Sequence, residues 1–179
     1  VLFEKKAMGG VCLNEGCIPT KTLLYGAKIY ENALHGDKYG VFGDNIRFDY
    51  GKMLSRKKKV VRKLVSGVES KMKANKVTVV KGNAMIEGRS ADGIEISCNG
   101  EKYTGKSLLV CTGSEASVPP ISGLQAAGEV ILTNREILEM SERPASLVVI
   151  GGGVIGMEFA IFFNSLGTKV TVIEMLPEI

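Results

Sequence analysis

Apolar positions change period several times along the chain, and each change marks a predicted element. Val1-Leu2-Phe3 is a short apolar run closed by Glu4, and Val170-Thr171-Val172-Ile173 closed by Glu174 has the same form near the other end. Both read as strands, and their likeness points to an internal repeat. Helical spacing predicts a helix over residues 22–33 and a stronger one over 52–75. In the second, Val60, Val61, Leu64, Val65, Val68 and Met72 fall on one face. Arg56, Lys57, Lys58, Lys59, Arg62 and Lys63 then read as its solvated face. Short β runs follow over 77–81, 84–87, 94–98, 101–104 and 107–111. Asn99-Gly100 supplies the residues that a type I′ hairpin turn requires, so a β-meander is expected inside an α/β fold. The segment around Pro119-Pro120 reads as a stiff, extended connection and a domain boundary. Beyond it, Thr133 or Asn134 can cap a short helix.

Composition narrows the function classes. The chain has 179 residues and 45% hydrophobic content, enough for one domain or pieces of two with a core. A formal charge of +4 is small for this length, and no aromatic residues interleave with the lysines as base-stacking platforms would. Nucleic acid is therefore not expected as a partner, and phosphate-bearing small molecules are the milder reading. No apolar run has the length of a membrane span, and no signal-peptide pattern is present, so no membrane association is expected. Four cysteines are too sparse for a disulfide-stapled scaffold, which favours an intracellular protein with one special cysteine pair. Cys98 and Cys111 lie in apolar runs and read as small buried hydrophobes. There is no C-x-x-C, and the single histidine, His35, sits in a glycine-flanked turn, so no metal site is predicted.

Two stretches carry chemistry. The first, "SLVVIGGGVIGMEFAIFFNSLGTKVTVIE", has the parts of a dinucleotide-binding βαβ start: a strand over 147–150, a glycine loop, a helix over 157–166, Gly167 as its terminator and a strand over 169–173. Gly151 permits the tight turn, Gly153 lets backbone approach a pyrophosphate, and Gly156 lets helix and strand pack closely. Val154 and Ile155 lie between them, where helix N–H groups would meet the phosphates. Glu174, 18 positions beyond Gly156, stands about where a carboxylate accepts ribose hydroxyl bonds, and an acid there favours NAD over NADP. The alternative is a purely structural turn. By the same logic Glu4 is either the ribose-binding acid of an earlier nucleotide unit or a surface glutamate at a strand end.

The second stretch, "GGVCLNEGCIPTKTLL", sets Cys12 and Cys17 five positions apart beside glycines, with Lys21 one helical turn further on. It resembles the redox-disulfide motif of the pyridine nucleotide-disulfide oxidoreductases. Together with "CTGS", "GGGVIGMEFA" and "VIEMLPEI" it is most similar to the dihydrolipoamide dehydrogenase branch of that family, and these motifs cover nearly the whole chain in the family's order. The alternative for the pair is two buried, unpaired thiols. Cysteines at this spacing can be bridged only if the local backbone brings their Cα atoms within about 7 Å, and thiols at a helix N-terminus or near a cation ionise more readily.

The resemblance implies Rossmann-like FAD- and NAD-binding domains with parallel sheets. Residues 1–118 would form an FAD domain lacking its first glycine loop, and 119–179 the first half of an NAD domain. It assigns exchange with a dithiol substrate to Cys12 and the flavin-facing sulfur to Cys17. Lys21 becomes the lysine near the flavin's reactive edge and Glu158 its carboxylate partner. FAD contacts are implied for Glu4, Lys21, Ala84, Thr112, Gly113 and Ser114. The implied reaction is oxidation of protein-bound dihydrolipoyl groups by NAD+, with a lipoyl domain of a 2-oxoacid dehydrogenase or glycine cleavage complex as partner. The implied parent is a homodimer in the cytoplasm, or in the mitochondrial matrix of a eukaryote. Cys111 and Ala116 replace a usual alanine and a frequent proline. The family's first glycine loop, its second flavin-contacting segment and its C-terminal His-Glu pair have no counterpart, so this segment alone is expected not to turn over, and His35 is out of position for that base. A glutathione- or mercuric-reductase-like enzyme, or a non-catalytic nucleotide-binding module, are the competing readings. The reductases usually draw on NADPH and carry arginines after the second strand, where "EMLPEI" has none.

Overall fold

The computed structural model describes residues 1–124 and 130–178. The elements run β1 (Leu2–Glu4), α1 (Gly10–Glu15), α2 (Cys17–Leu34), a single 3-10 turn (Gly36–Tyr39), α3 (Tyr50–Ala74), β2 (Val79–Lys81), β3 (Ala84–Ser90), β4 (Gly93–Cys98), β5 (Glu101–Gly105), α4 (Asn134–Glu139), β6 (Ser146–Ile150), α5 (Val154–Ser165) and β7 (Lys169–Ile173). They fall into two compact units that interleave along the chain: residues 1–14 with 62–115, and 15–61 with 116–179.

The first unit pairs β1 parallel with β2, Leu2 opposite Val79 and Glu4 opposite Lys81. Strands β3, β4 and β5 form an antiparallel meander. Its β4–β5 turn is the predicted type I′ hairpin: Asn99 and Gly100 both have positive φ, 53° and 82°, which matches the right-handed twist of the flanking strands. Asn99 Nδ2 also donates to the Lys81 carbonyl at 2.8 Å. Phe3 meets Tyr103 edge to face, with ring centroids 5.0 Å apart, so an aromatic pair ties the parallel ribbon to the meander.

The second unit holds the main core. Strands β6 and β7 are parallel and fully in register, Ser146 opposite Lys169 and Ile150 opposite Ile173. Helix α5 connects them and packs on α2. Leu23 and Ala27 of α2, Ile137 and Leu138 of α4, and Phe159, Phe162 and Phe163 of α5 form one buried cluster with Leu166, and Tyr50, Met53 and Leu54 of α3 pack against it. Phe162 and Phe163 stand edge to face, centroids 4.9 Å apart. Burying a large apolar side chain is worth about 1.5–3 kcal/mol, so the three phenylalanines of α5 account for much of this unit's cohesion.

Four expectations change. The run over 107–111 forms no strand: no described strand pairs with it, Leu109 and Val110 are exposed, and Cys111 is exposed while Cys98 is buried. Lys57 is not on the solvated face of α3; it is buried, 2% exposed. Its position, three and four residues before Val60 and Val61, sets it on the apolar stripe. Helix α2 starts five residues before the predicted helix, at Cys17, because Pro19 lies in the first turn, where its missing N–H has no intrahelical partner. For a related reason α5 begins at Val154, inside the glycine loop, since Gly153 is its N-cap.

Candidate functional site

Gly16 breaks what would otherwise be a continuous helix. Its backbone, at φ −140° and ψ −111°, separates α1 from α2. Cys12 lies in α1, and Cys17 is the first residue of α2. Both are disulfide-bonded, whereas Cys98 and Cys111 are free thiols, so the chain's four cysteines divide into one bridge and two thiols. The bridge is solvent-facing, both cysteines being exposed, as exchange with an external thiol requires. Helix α2 has no side-chain cap, so its first N–H groups and the positive end of its dipole are directed toward the Cys17 end.

Lys21 follows Cys17 by four residues, on the same helix face. Its ammonium pairs with the Glu158 carboxylate of α5, with the lysine side chain 60% exposed and the glutamate 21%. Two residues far apart in the chain are thus joined by the packing of α2 on α5. Inside the five-residue span of the bridge, Glu15 is held from α4: the Asn134 side chain donates to its carbonyl at 2.7 Å, and Arg135 Nε donates to its carboxylate. Nothing in the sequence pattern indicated this second attachment, because Arg135 is one charge in a polar capping segment.

The glycine loop follows the predicted geometry. Gly151 has φ +101°, and its N–H donates to the Ile173 carbonyl at 2.8 Å, tying the loop to the end of β7. A side chain at Gly151 or Gly153 would meet nothing within 4 Å, so both face open space. Gly153 offers no side-chain cap to α5, and the N–H groups of Val154, Ile155 and Gly156 in its first turn lack intrahelical acceptors. Val154 and Ile155 are well exposed. Open backbone donors beside glycines suit the pyrophosphate of a dinucleotide. Glu174 completes the arrangement. Its carboxylate accepts from the N–H groups of Leu176 at 2.8 Å, Gly152, and Met175 at 2.6 Å, and these bonds hold its pKa below the usual carboxylate value. The carboxylate is therefore fixed beside the loop by backbone hydrogen bonds.

The remaining predicted residues lie in the first unit. Glu4 ends β1; its carboxylate accepts from Lys6 N–H at 2.8 Å, and its carbonyl accepts from Gly82 N–H, two residues before Ala84 at the start of β3. Thr112, Gly113 and Ser114 are exposed and outside regular structure. Gly113 has φ +80°, and a Cβ there would stand 3.3 Å from Val11 Cγ2. Among the described residues no cluster of His, Cys, Asp and Glu could hold a metal ion, and no helix is long and apolar enough to cross a membrane.

Comparison with known proteins places this arrangement. The profile of the pyridine nucleotide-disulphide oxidoreductases matches residues 1–179. The chain belongs to that family. Its similar curated relatives are dihydrolipoyl dehydrogenases: that of Acholeplasma laidlawii is 44% identical over 99% of this chain and 53% of its own length, and one of Bacillus subtilis is 43% identical over 97% of this chain and 38% of its own. The chain thus spans about half, or less, of the length of such relatives. Among solved structures, the Cu(II) complex of the HOCl-induced flavoprotein disulfide reductase RclA from Escherichia coli superposes with a TM-score of 0.79 at 28% identity, over 99% of this chain and 36% of that one. As in other pyridine nucleotide-disulphide oxidoreductases, the chain's chemistry calls for a flavin and a pyridine nucleotide beside a redox-active disulfide.

Proposed function

We propose that the chain is the disulfide-bearing segment of a dihydrolipoyl dehydrogenase, which oxidises protein-bound dihydrolipoyl groups with NAD+. The observation that carries this reading is the Cys12–Cys17 bridge at the uncapped start of α2, one turn from the Lys21–Glu158 pair. A substrate thiolate attacks Cys12 Sγ, the S–S bond breaks, and Cys17 leaves as a thiolate, stabilised by the helix terminus and the Lys21 ammonium. The second substrate thiol then displaces Cys12 from the mixed disulfide. One lipoyl disulfide has formed, and the two electrons reside on the cysteine pair. Glu158 anchors the Lys21 ammonium through their ion pair.

A bound FAD would supply the two-electron relay between the reduced cysteine pair and NAD+, so the sum would be dihydrolipoyl dithiol plus NAD+ giving lipoyl disulfide, NADH and a proton. Glu4, Lys21, Ala84 and Thr112 to Ser114 would hold the flavin nucleotide. Gly151, Gly153, Val154, Ile155, Gly156 and Glu174 would hold NAD. Residues 1–118 then belong to the FAD domain and 119–179 to the NAD domain. The partner is a lipoyl domain of a 2-oxoacid dehydrogenase or glycine cleavage complex, and the parent enzyme is a cytoplasmic homodimer.

The test is NADH formation from dihydrolipoamide and NAD+ by the full-length protein. Wild type should turn over and Cys17→Ser should fall to background with its flavin retained. NADPH-driven reduction of glutathione disulfide or mercuric ion in place of this reaction would refute the proposal.

A further inference from the structure

Helix α4 is short, yet both its ends are fixed. At the start, Thr133 Oγ1 accepts from Arg135 N–H at 3.3 Å while the Glu136 carboxylate accepts from Thr133 N–H at 2.7 Å, a complete capping box. At the other end the buried Lys57 ammonium donates to the Leu138 carbonyl and to Glu139 at 2.8 Å, and Lys58 reaches Glu139 at 3.1 Å. Ile137 and Leu138 anchor its middle in the core. A helix held this firmly is a rigid mount, and what it presents is Asn134 and Arg135, both engaged with Glu15.

Glu15 ends α1, next to the Gly16 break and two residues before Cys17. We propose that Arg135 is a positioning residue for the redox disulfide: by gripping Glu15 it holds the Gly16 turn in the conformation that keeps the two sulfurs together when their bond is open. This role rests on the redox reading of the cysteine pair and extends it to a residue outside the motif. Arg135 and Glu15 are each about three-tenths exposed, at 27% and 29%, so the pair is partly shielded from water and stronger than a fully exposed ion pair. A glycine at the break has wide conformational freedom. Once the S–S bond opens, that freedom would let the thiols separate unless something outside the loop restrains it.

The experiment equilibrates the full-length protein with dithiothreitol redox buffers and counts alkylated Cys12 and Cys17 by mass spectrometry. In this exchange the bridge takes two electrons and two protons from dithiothreitol, which closes to its cyclic disulfide. Arg135→Ala and Glu15→Gln should each make the bridge about tenfold easier to reduce, a potential shift of about 30 mV. The double variant should shift no further than either single one, and Arg135→Lys should recover most of the wild-type value. Oxidised-state melting curves monitor folding; if Arg135→Ala does not fold, Glu15→Gln, which removes only a charge, decides the matter. Exchange equilibrium constants within twofold of wild type in both single variants would overturn the proposal. No lipoyl group, flavin or NAD takes part. A wild-type bridge that cycles normally but accepts no electrons from dihydrolipoamide would therefore refute the dehydrogenase reading and leave the role of Arg135 standing.

Discussion

A methyl group on Gly156 would lie 2.8 Å from the Gly151 carbonyl oxygen and 2.9 Å from Val149 Cγ1. The first of these is backbone, tied to β7 through the Gly151 N–H bond to Ile173, so it cannot rotate aside as a side chain would. Gly156→Ala must therefore push α5 away from β6 and deform the loop proposed above to receive the dinucleotide phosphates. We expect a loss of about 1–3 kcal/mol in folding stability, the usual range for overpacking, together with weakened NADH binding by isothermal titration. A variant that binds NADH as wild type would contradict the assignment of this loop. At this scale the sequence was informative about the loop's shape, because the glycine spacing indicated a positive-φ turn at Gly151 and a close helix–strand approach at Gly156. It placed Lys57 on the solvated face, because its neighbours in "RKKK" disguise a lysine that, among the described residues, is buried.

Among the elements, α4 shows how charge and helix ends combine. Burial raises the pKa of Glu139, but the bonds from Lys57 and Lys58 outweigh it, so the net displacement is downward from 4.5. Glu136 is also lowered, chiefly by the Thr133 hydroxyl and backbone N–H. Carboxylates with depressed folded-state pKa values contribute stability that is complete above the ordinary value and is lost as pH falls through the folded one. The urea midpoint should accordingly be flat above about pH 5 and decline below about 4.5, and Glu136→Gln with Glu139→Gln should flatten that decline. Lys57→Ala should lower the unfolding free energy at neutral pH by about 1–3 kcal/mol, because it leaves the Leu138 carbonyl without its donor.

Element types were legible wherever periodicity was unbroken. β7 and the Asn99-Gly100 hairpin match the sequence reading, and Thr133 is the cap. The misses have local causes: a proline tolerated in the first turn of α2, a glycine loop that already begins α5, and a 107–111 run whose apolar character alone does not supply a neighbouring strand. A strand is stabilised by pairing, which a single segment's sequence does not specify.

For the molecule as a whole, the two interleaved units explain why chain order conveys its organisation poorly. Residues 15–61 cluster with 116–179, so Lys21 and Glu158, or Glu15 and Arg135, are neighbours despite more than a hundred intervening positions. The Lys21–Glu158 pair could be anticipated because a family motif carries it, whereas the Glu15–Arg135 pair arises from this chain's own packing.

If Cys12 and Cys17 form a reversible redox couple, as proposed, differential alkylation of the full-length protein before and after anaerobic addition of dihydrolipoamide will reveal it. Both cysteines should be protected at the start, become alkylated together, and regain protection when NAD+ is added to the flavin-loaded protein, while Cys98 and Cys111, labelled after denaturation, stay reduced throughout. Cys12 and Cys17 alkylated from the outset, or still protected after dihydrolipoamide, would contradict the proposed couple.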